Sequence, residues 1–397
     1  MNINRNTANP GCAPQRAIFA LVLVALAGLI GSLMYASVPG GLFAAPGDVA
    51  AETISGDAEK SDAAPGPAAA PPAPAIESGV RRWHVRGPAR VALPDGYTPP
   101  RAQHKFFQTP AYQLRLYAQE FAQGRAIYAE IVPPAAQAAA PENFQAALIF
   151  NKAAVPLSRH TFGYRGFIGI APYAATGKIT FNVTAGVPPA VRTEHHVVTI
   201  SATKFPVYHS AMDLGKFSDT SQPLSAETIE QIRAGQAKKN AAFHLRTENK
   251  ITDRLSHPRD LHKITSPFWA TRVVDRYEIK NGKRVTLKPK KSTHGGLDLR
   301  AVTGAPIYAL ADATVAIAEP MYYEGNLTML DHGQGVMSIY MHQSAINVQP
   351  GQTVAAGDEI GKAGATGAVT GAHLHLAVYI RRVPVEPLSF LCLPVRN

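Results

Sequence analysis

Cysteine is nearly absent: 397 residues contain two, Cys12 and Cys392. They flank an apolar run at 17–36, so export would leave them on opposite sides of a membrane, and no disulfide can staple the fold. Cys12 precedes that run, which argues against a lipoprotein attachment signal; Cys392, in FLCLP, reads as a small buried apolar residue. Clustered basic charge is missing too. The formal charge is +11, yet the Lys and Arg residues are scattered without aromatic interleaving. That excludes a nucleic-acid binder and leaves attraction to an anionic polymer such as a cell wall. Helical patterning is scarce, because 32 Gly and 32 Pro favour strands and turns. The one good helix is PLSAETIEQIRAGQAKKNAAF at 223–243, with Ser225 as N-cap, Glu227 and Glu230 early, and Lys238 and Lys239 late.

What is present divides along the chain. Residues 17–36 are uncharged and mostly apolar, long enough to span a bilayer, and Arg5 and Arg16 before them place the remainder outside the cytoplasm. The run exceeds the roughly 7–15 apolar residues of a signal peptide, which favours an uncleaved anchor over cleavage near ALAG at 25–28. Residues 1–16 are then a cytoplasmic tail and 37–100 an Ala/Pro-rich disordered spacer, too poor in large apolar side chains to order itself. From 101 to 217, short apolar runs such as GRAIYAEIV, YRGFIGIA and GKITFNVTA alternate with turns and suggest an immunoglobulin-like β-sandwich. A helical connector at 218–255 leads to a second compact, all-β domain at 256–397 with Gly or Asp at nearly every turn. The fold class expected is therefore mainly β, and the chemistry is expected in the second domain.

Three stretches there carry histidine. In MSIYMH (337–342), alternation places Met337, Ile339 and Met341 on the core face and turns His342 away from it. In HLHLAVYI (373–380), Leu374, Leu376, Val378 and Ile380 face the core, while His373, His375, Ala377 and Tyr379 share the opposite face. The two imidazoles then stand roughly 6–7 Å apart, close enough to address one site. In THGGLDLR (293–300), His294 and Asp298 would be about 13 Å apart in an extended strand; a kink at Gly295 and Gly296 is needed to bring them together. Two imidazoles and a carboxylate with a fourth position for water make the ligand set of a catalytic zinc. None of these motifs is specific alone: with 14 His, an H-x-H pair arises by chance in about one such sequence out of two. HSAMD, His209 to Asp213, repeats the H-x-x-x-D spacing without the glycines and reads as structural.

In their order, HGGLDLRAVTGAPIYALADATV, GNLTMLDHGQGVMSIYMH, VQPGQTVAAGDEIGKAGATG and TGAHLHLAV closely resemble the lysostaphin-type zinc metallopeptidases of peptidoglycan, over about residues 264–390. The resemblance implies the duplicated hybrid-motif fold and one Zn2+ per catalytic domain. It makes His294, Asp298 and His375 the metal ligands, and His342 and His373 catalytic histidines beside them. The choice between His373 and His375 rests on it alone. It further implies peptidoglycan as the partner, hydrolysed at a peptide cross-link or stem, with the inner membrane as the anchor and the catalytic domain in the periplasm, or secretion if the first segment is cleaved. No nucleic-acid partner is expected, and a regulatory protein partner is not identified. The alternative is an inactive wall-binding or amidase-activating scaffold of the same fold, whose members lack the ligands present here. Two departures stand out: Ala377 replaces an acid that family members often carry, expected to alter substrate preference, and no tyrosine lies at 288–293 as an oxyanion donor, leaving Tyr277 as a weak candidate. His332 reads as a turn residue near the site.

Overall fold

The computed structural model describes residues 90–94, 96–134 and 141–395. The expected tail, the apolar segment at 17–36 and most of the spacer lie outside the described residues, among which no helix is long and apolar enough to cross a membrane. The described chain is mainly β. The end of the expected spacer is a correction: Arg90–Ala92 pairs in parallel with Arg254–Ser256, and Leu93 is buried in the main core. Leu93 and Tyr97, which packs against the same core and stacks on His262, tie down a segment that its composition marks as unstructured.

Two antiparallel sheets follow. Gln103–Gln108, Gln113–Ala118, Ala126–Val132, Gly163–Gly169 and Ser158–His160 form one in that order; Arg192–Ile200, Gly177–Gly186, Gln145–Phe150 and Ala153–Val155 form the other. Their facing residues, among them Leu114, Leu116, Ile127, Ile131, Ile168, Phe181, Val183 and Val198, make one core. The strand Ala126–Val132 is buried on both sides: Ile127, Ala129 and Ile131 face this core, while Ala126 and Tyr128 join the second one with Phe167. Alternation here serves two cores, which is why the run reads as continuously apolar.

The helix α1 (Ala226–Phe243) starts where its cap demands, the Ser225 hydroxyl accepting from Thr228 N–H at 3.2 Å. Seven strands then carry most of the argument, β1 (Thr271–Val274), β2 (Lys290–Thr293), β3 (Leu297–Arg300), β4 (Ala313–Met321), β5 (Gly325–Asp331), β6 (Val336–Gln343) and β7 (His373–Ile380). The main sheet runs Ile264–Ser266, β3, β7, β6, β5, β4, Thr353–Val354, all antiparallel. A three-stranded sheet places β1 between Val207–Met212, parallel to it, and β2, antiparallel. The two halves of the chain are joined by hydrogen bonds as well as by apolar contact: Arg381 donates to the Phe167 carbonyl at 2.7 Å, Glu386 N–H to the Gly124 carbonyl at 2.7 Å, and Phe167 stacks on Phe390.

On β7, Leu374, Leu376, Val378 and Ile380 lie in the main core as alternation requires. On β6 the expected parity is wrong. Val336 and Tyr340 enter that core, opposite Ile380 and Leu376, whereas Met337, Ile339 and Met341 pair with Tyr379, Ala377 and His375 on the other face. Strict alternation would therefore send His342 into the core with Tyr340. Its backbone instead takes a left-handed conformation, φ +63°, where the register to β5 shifts, and this reverses the side chain.

Candidate metal centre

Three chain segments meet at one buried point. β3 and β7 are paired so that Asp298 lies opposite His375, and the Gly295–Gly296 turn folds His294 back over β3. Asp298 Oδ1 is 3.0 Å from His294 Nε2 and 2.8 Å from His375 Nδ1, and those two nitrogens are 3.0 Å apart. Gly296 is required by close approach: a Cβ there would lie 2.4 Å from the Leu376 carbonyl oxygen and 2.6 Å from His375 Nε2. Backbone carbonyls orient the rings. His294 Nδ1 donates to the Pro267 carbonyl at 2.9 Å, which leaves Nε2 as its lone-pair nitrogen.

His294 and Asp298 are fully buried and His375 is 6% exposed, so the charged forms of the imidazoles are disfavoured. Burial lowers the pKa of His294 and of His375 despite the neighbouring carboxylate. For Asp298, burial alone would raise the carboxyl, but His294 and the Arg272 guanidinium outweigh it and hold the group well below the usual carboxylate range. Arg272, on β1 and 2% exposed, reaches the second oxygen, Nη2 to Oδ2 at 2.5 Å, and the same nitrogen donates to the Ser266 hydroxyl.

Two further imidazoles stand beside the trio. His373 Nδ1 donates to the Gly371 carbonyl at 2.9 Å and its Nε2 lies 3.8 Å from Asp298 Oδ1. His342 Nδ1 donates to the Thr366 carbonyl at 2.9 Å, and its ring centre is 5.1 Å from that of His373 and 5.9 Å from that of His375. Burial, with His373 and His375 next to it, keeps His342 well below the ordinary imidazole pKa, hence neutral near pH 7.

The trio fits a metal ion. Among the described residues it is the one His/Cys/Asp/Glu group whose ligand atoms converge. Separations of 2.8–3.0 Å approach the roughly 3.3 Å edge of a tetrahedron with metal bonds of about 2.0–2.1 Å. Two imidazole nitrogens turned on each other without such an ion would share a single carboxylate oxygen in a buried space.

The other candidates fall elsewhere. His209 is exposed, and Asp213 pairs with Arg284 at 2.6 Å. His332 is buried and structural, held by the Asp312 carbonyl at 2.9 Å and the Ser338 hydroxyl at 2.8 Å. The Tyr277 hydroxyl donates to the Gly215 carbonyl at 3.4 Å and Arg284 lies over its ring, which commits it to a surface hairpin. Ala377 is 1% exposed and neighbours Tyr379, which Phe243 of α1 covers at 4.9 Å between ring centres. A side chain so enclosed does not face substrate, contrary to the expectation for this position. Arg272 escapes notice in the sequence, although one signal was there: with Ala270 and Val274 it occupies the inward side of its segment, an anomalous place for an arginine.

Residues 292–387 match the model described as Peptidase family M23. The peptidoglycan DD-endopeptidase ShyA of Vibrio cholerae is 39% identical over 96 residues, 24% of this chain and 22% of that protein. The DD-carboxypeptidase/endopeptidase Mpg of Neisseria meningitidis is 38% identical over 96 residues, with the same coverage of each. The chain thus spans about a fifth of the length of these curated relatives. Among solved structures, the crystal structure of a putative peptidase M23 from Pseudomonas aeruginosa aligns with a TM-score of 0.45 at 22% identity, covering 68% of this chain and 94% of that one.

Proposed function

From the Peptidase family M23 domain that the chain carries at residues 292–387, we propose a zinc-dependent endopeptidase that hydrolyses peptide bonds of peptidoglycan, at a D,D-linkage. The observation that carries this reading is the convergence of His294 Nε2, His375 Nδ1 and Asp298 Oδ1 with the imidazoles of His342 and His373 alongside. His294, His375 and Asp298 hold the ion; when bound, zinc polarises the scissile carbonyl and activates water near neutral pH. His342 and His373, each fixed through Nδ1 by a carbonyl, act through Nε2. One takes the proton of the attacking water and the pair returns a proton to the leaving amine. The two-sheet module is read as immunoglobulin-like. The 17–36 segment is read as an inner-membrane anchor holding the catalytic part in the periplasm, which suits an anionic wall and a +11 chain.

The test is digestion of isolated sacculi by residues 90–397, with products identified by mass. Chelator-sensitive release of peptide-cleaved muropeptides is expected. His294→Ala should lose the metal and activity together, whereas His342→Ala should keep the metal and lose turnover by 10²-fold or more, on the order expected for an acid-base group. Full activity in either variant, or no release by the parent protein, counts against the reading.

A further inference from the structure

Asp298 offers two oxygens, and the structure treats them differently. Oδ1 faces His294 and His375 at 3.0 and 2.8 Å, while Oδ2 is bonded to Arg272 at 2.5 Å. Arg272 is itself fixed: its strand β1 lies between Val207–Met212 and β2, the residue is 2% exposed, and Ser266 accepts from the same nitrogen. We propose that Arg272 is a positioning residue of the metal site, which ties up Oδ2 so that Asp298 presents a single oxygen and balances the buried carboxylate before any ion arrives. The inference rests on the zinc reading above, but it concerns a residue outside the 292–387 segment matched by the family model.

The physical consequence is specific. A carboxylate can bind a cation through one oxygen or two, and two-oxygen binding raises the coordination number and suits larger, harder ions. With Oδ2 bonded to Arg272, the second mode is closed and a low-coordinate site for an ion such as Zn2+ results. Without Arg272, the buried carboxylate in the metal-free protein has lost its counter-charge, and only the ion can supply it.

The test uses the full-length chain purified in mild detergent, metal-free and then loaded with Zn2+ or with Co2+ as a spectroscopic stand-in. The parent should take up one ion and show the intense visible bands of four-coordinate Co2+. Arg272→Met should show weaker bands of a higher-coordinate ion, and the gap in melting temperature between metal-free and zinc-loaded protein should widen by several degrees. Arg272→Lys, retaining the charge and a donor, should restore most of both. Ser266→Ala, a milder change, should shift both readouts in the direction of Arg272→Met and covers the case in which that variant does not fold. Were Arg272 merely a core-filling residue, its loss would lower both melting temperatures equally and leave the cobalt spectrum unchanged; that result overturns the proposal. A parent that binds no metal overturns the zinc reading and this inference with it, whereas a metal-binding parent with unaltered variants overturns the inference alone.

Discussion

At the residue scale, the site depends on small groups as much as on its ligands. Gly296 lets the Leu376 carbonyl and the His375 ring come within contact of its Cα, and a methyl group there has no room. Gly296→Ala is therefore expected to cost about 1–3 kcal/mol and to push His375 off the trio; chelator-competition titration should show weakened zinc binding. Unchanged affinity would mean that the turn relaxes without moving His375. His342 makes a different point. Its left-handed backbone, not strand parity, sends it to the cleft, so the expectation that it faces the other imidazoles had the right outcome for the wrong reason. Parity put Met337, Ile339 and Met341 in the core, and Val336 and Tyr340 are there instead. A short strand with apolar residues on both faces holds no record of which face is which.

At the element scale, α1 is more than a connector. Lys239 and Glu324, 4% and 6% exposed in their side chains, form an ion pair that fastens the helix to the turn between β4 and β5. The Glu324 carbonyl in turn accepts the His342 N–H at 2.9 Å. Lys239→Met would leave a buried carboxylate without its cation, a loss of roughly 3–5 kcal/mol. Equilibrium urea unfolding should show it, and a loss under 1 kcal/mol would indicate that the helix end simply opens to water. The cap, the early acidic residue Glu227 and the span of this helix were legible in the sequence because they are local properties, whereas its last turn holds no basic residue and Lys239, expected among the late charges, is buried against Glu324 instead. Its docking was not, since only Lys239, Ala242 and Phe243 are buried and no continuous apolar stripe announces a partner.

At the scale of the whole molecule, the two-sheet module and the domain that holds the metal centre share a core, with Ala126, Tyr128 and Phe167 packed among Val378, Val385 and Phe390. Buried neutral imidazoles couple the stability of this assembly to pH. His257 is fully buried, its Nδ1 donating to the Arg259 carbonyl at 2.7 Å, and burial pushes its pKa down from 6.5 to about 3. In the unfolded chain that group takes up a proton as the pH falls through 6.5, and in the folded protein only near 3. Its stabilising contribution is thus complete above 6.5 and declines below it by about 1.4 kcal/mol per pH unit. His294, His342 and His375 act in the same direction in the metal-free protein. Urea unfolding of metal-free protein between pH 7 and pH 5 should show stability falling with pH, and His257→Asn should reduce that slope; a flat profile would contradict the buried neutral state.

The sequence by itself determined what is local or periodic: the capped helix, the alternation of β7 that sets Leu374, Leu376 and Val378 against His373 and His375, and the motifs that single out His294 and Asp298. Only the tertiary structure decided the rest. Arg272 meets Asp298 from a strand of a different sheet, His342 turns because one backbone angle changes sign, and Leu93 with Tyr97 ties the end of a spacer to a distant core. The Arg272 and Leu93 contacts join segments apart in the chain, and the angle at His342 goes with a register shift against β5; neither leaves a period or spacing in the sequence to read.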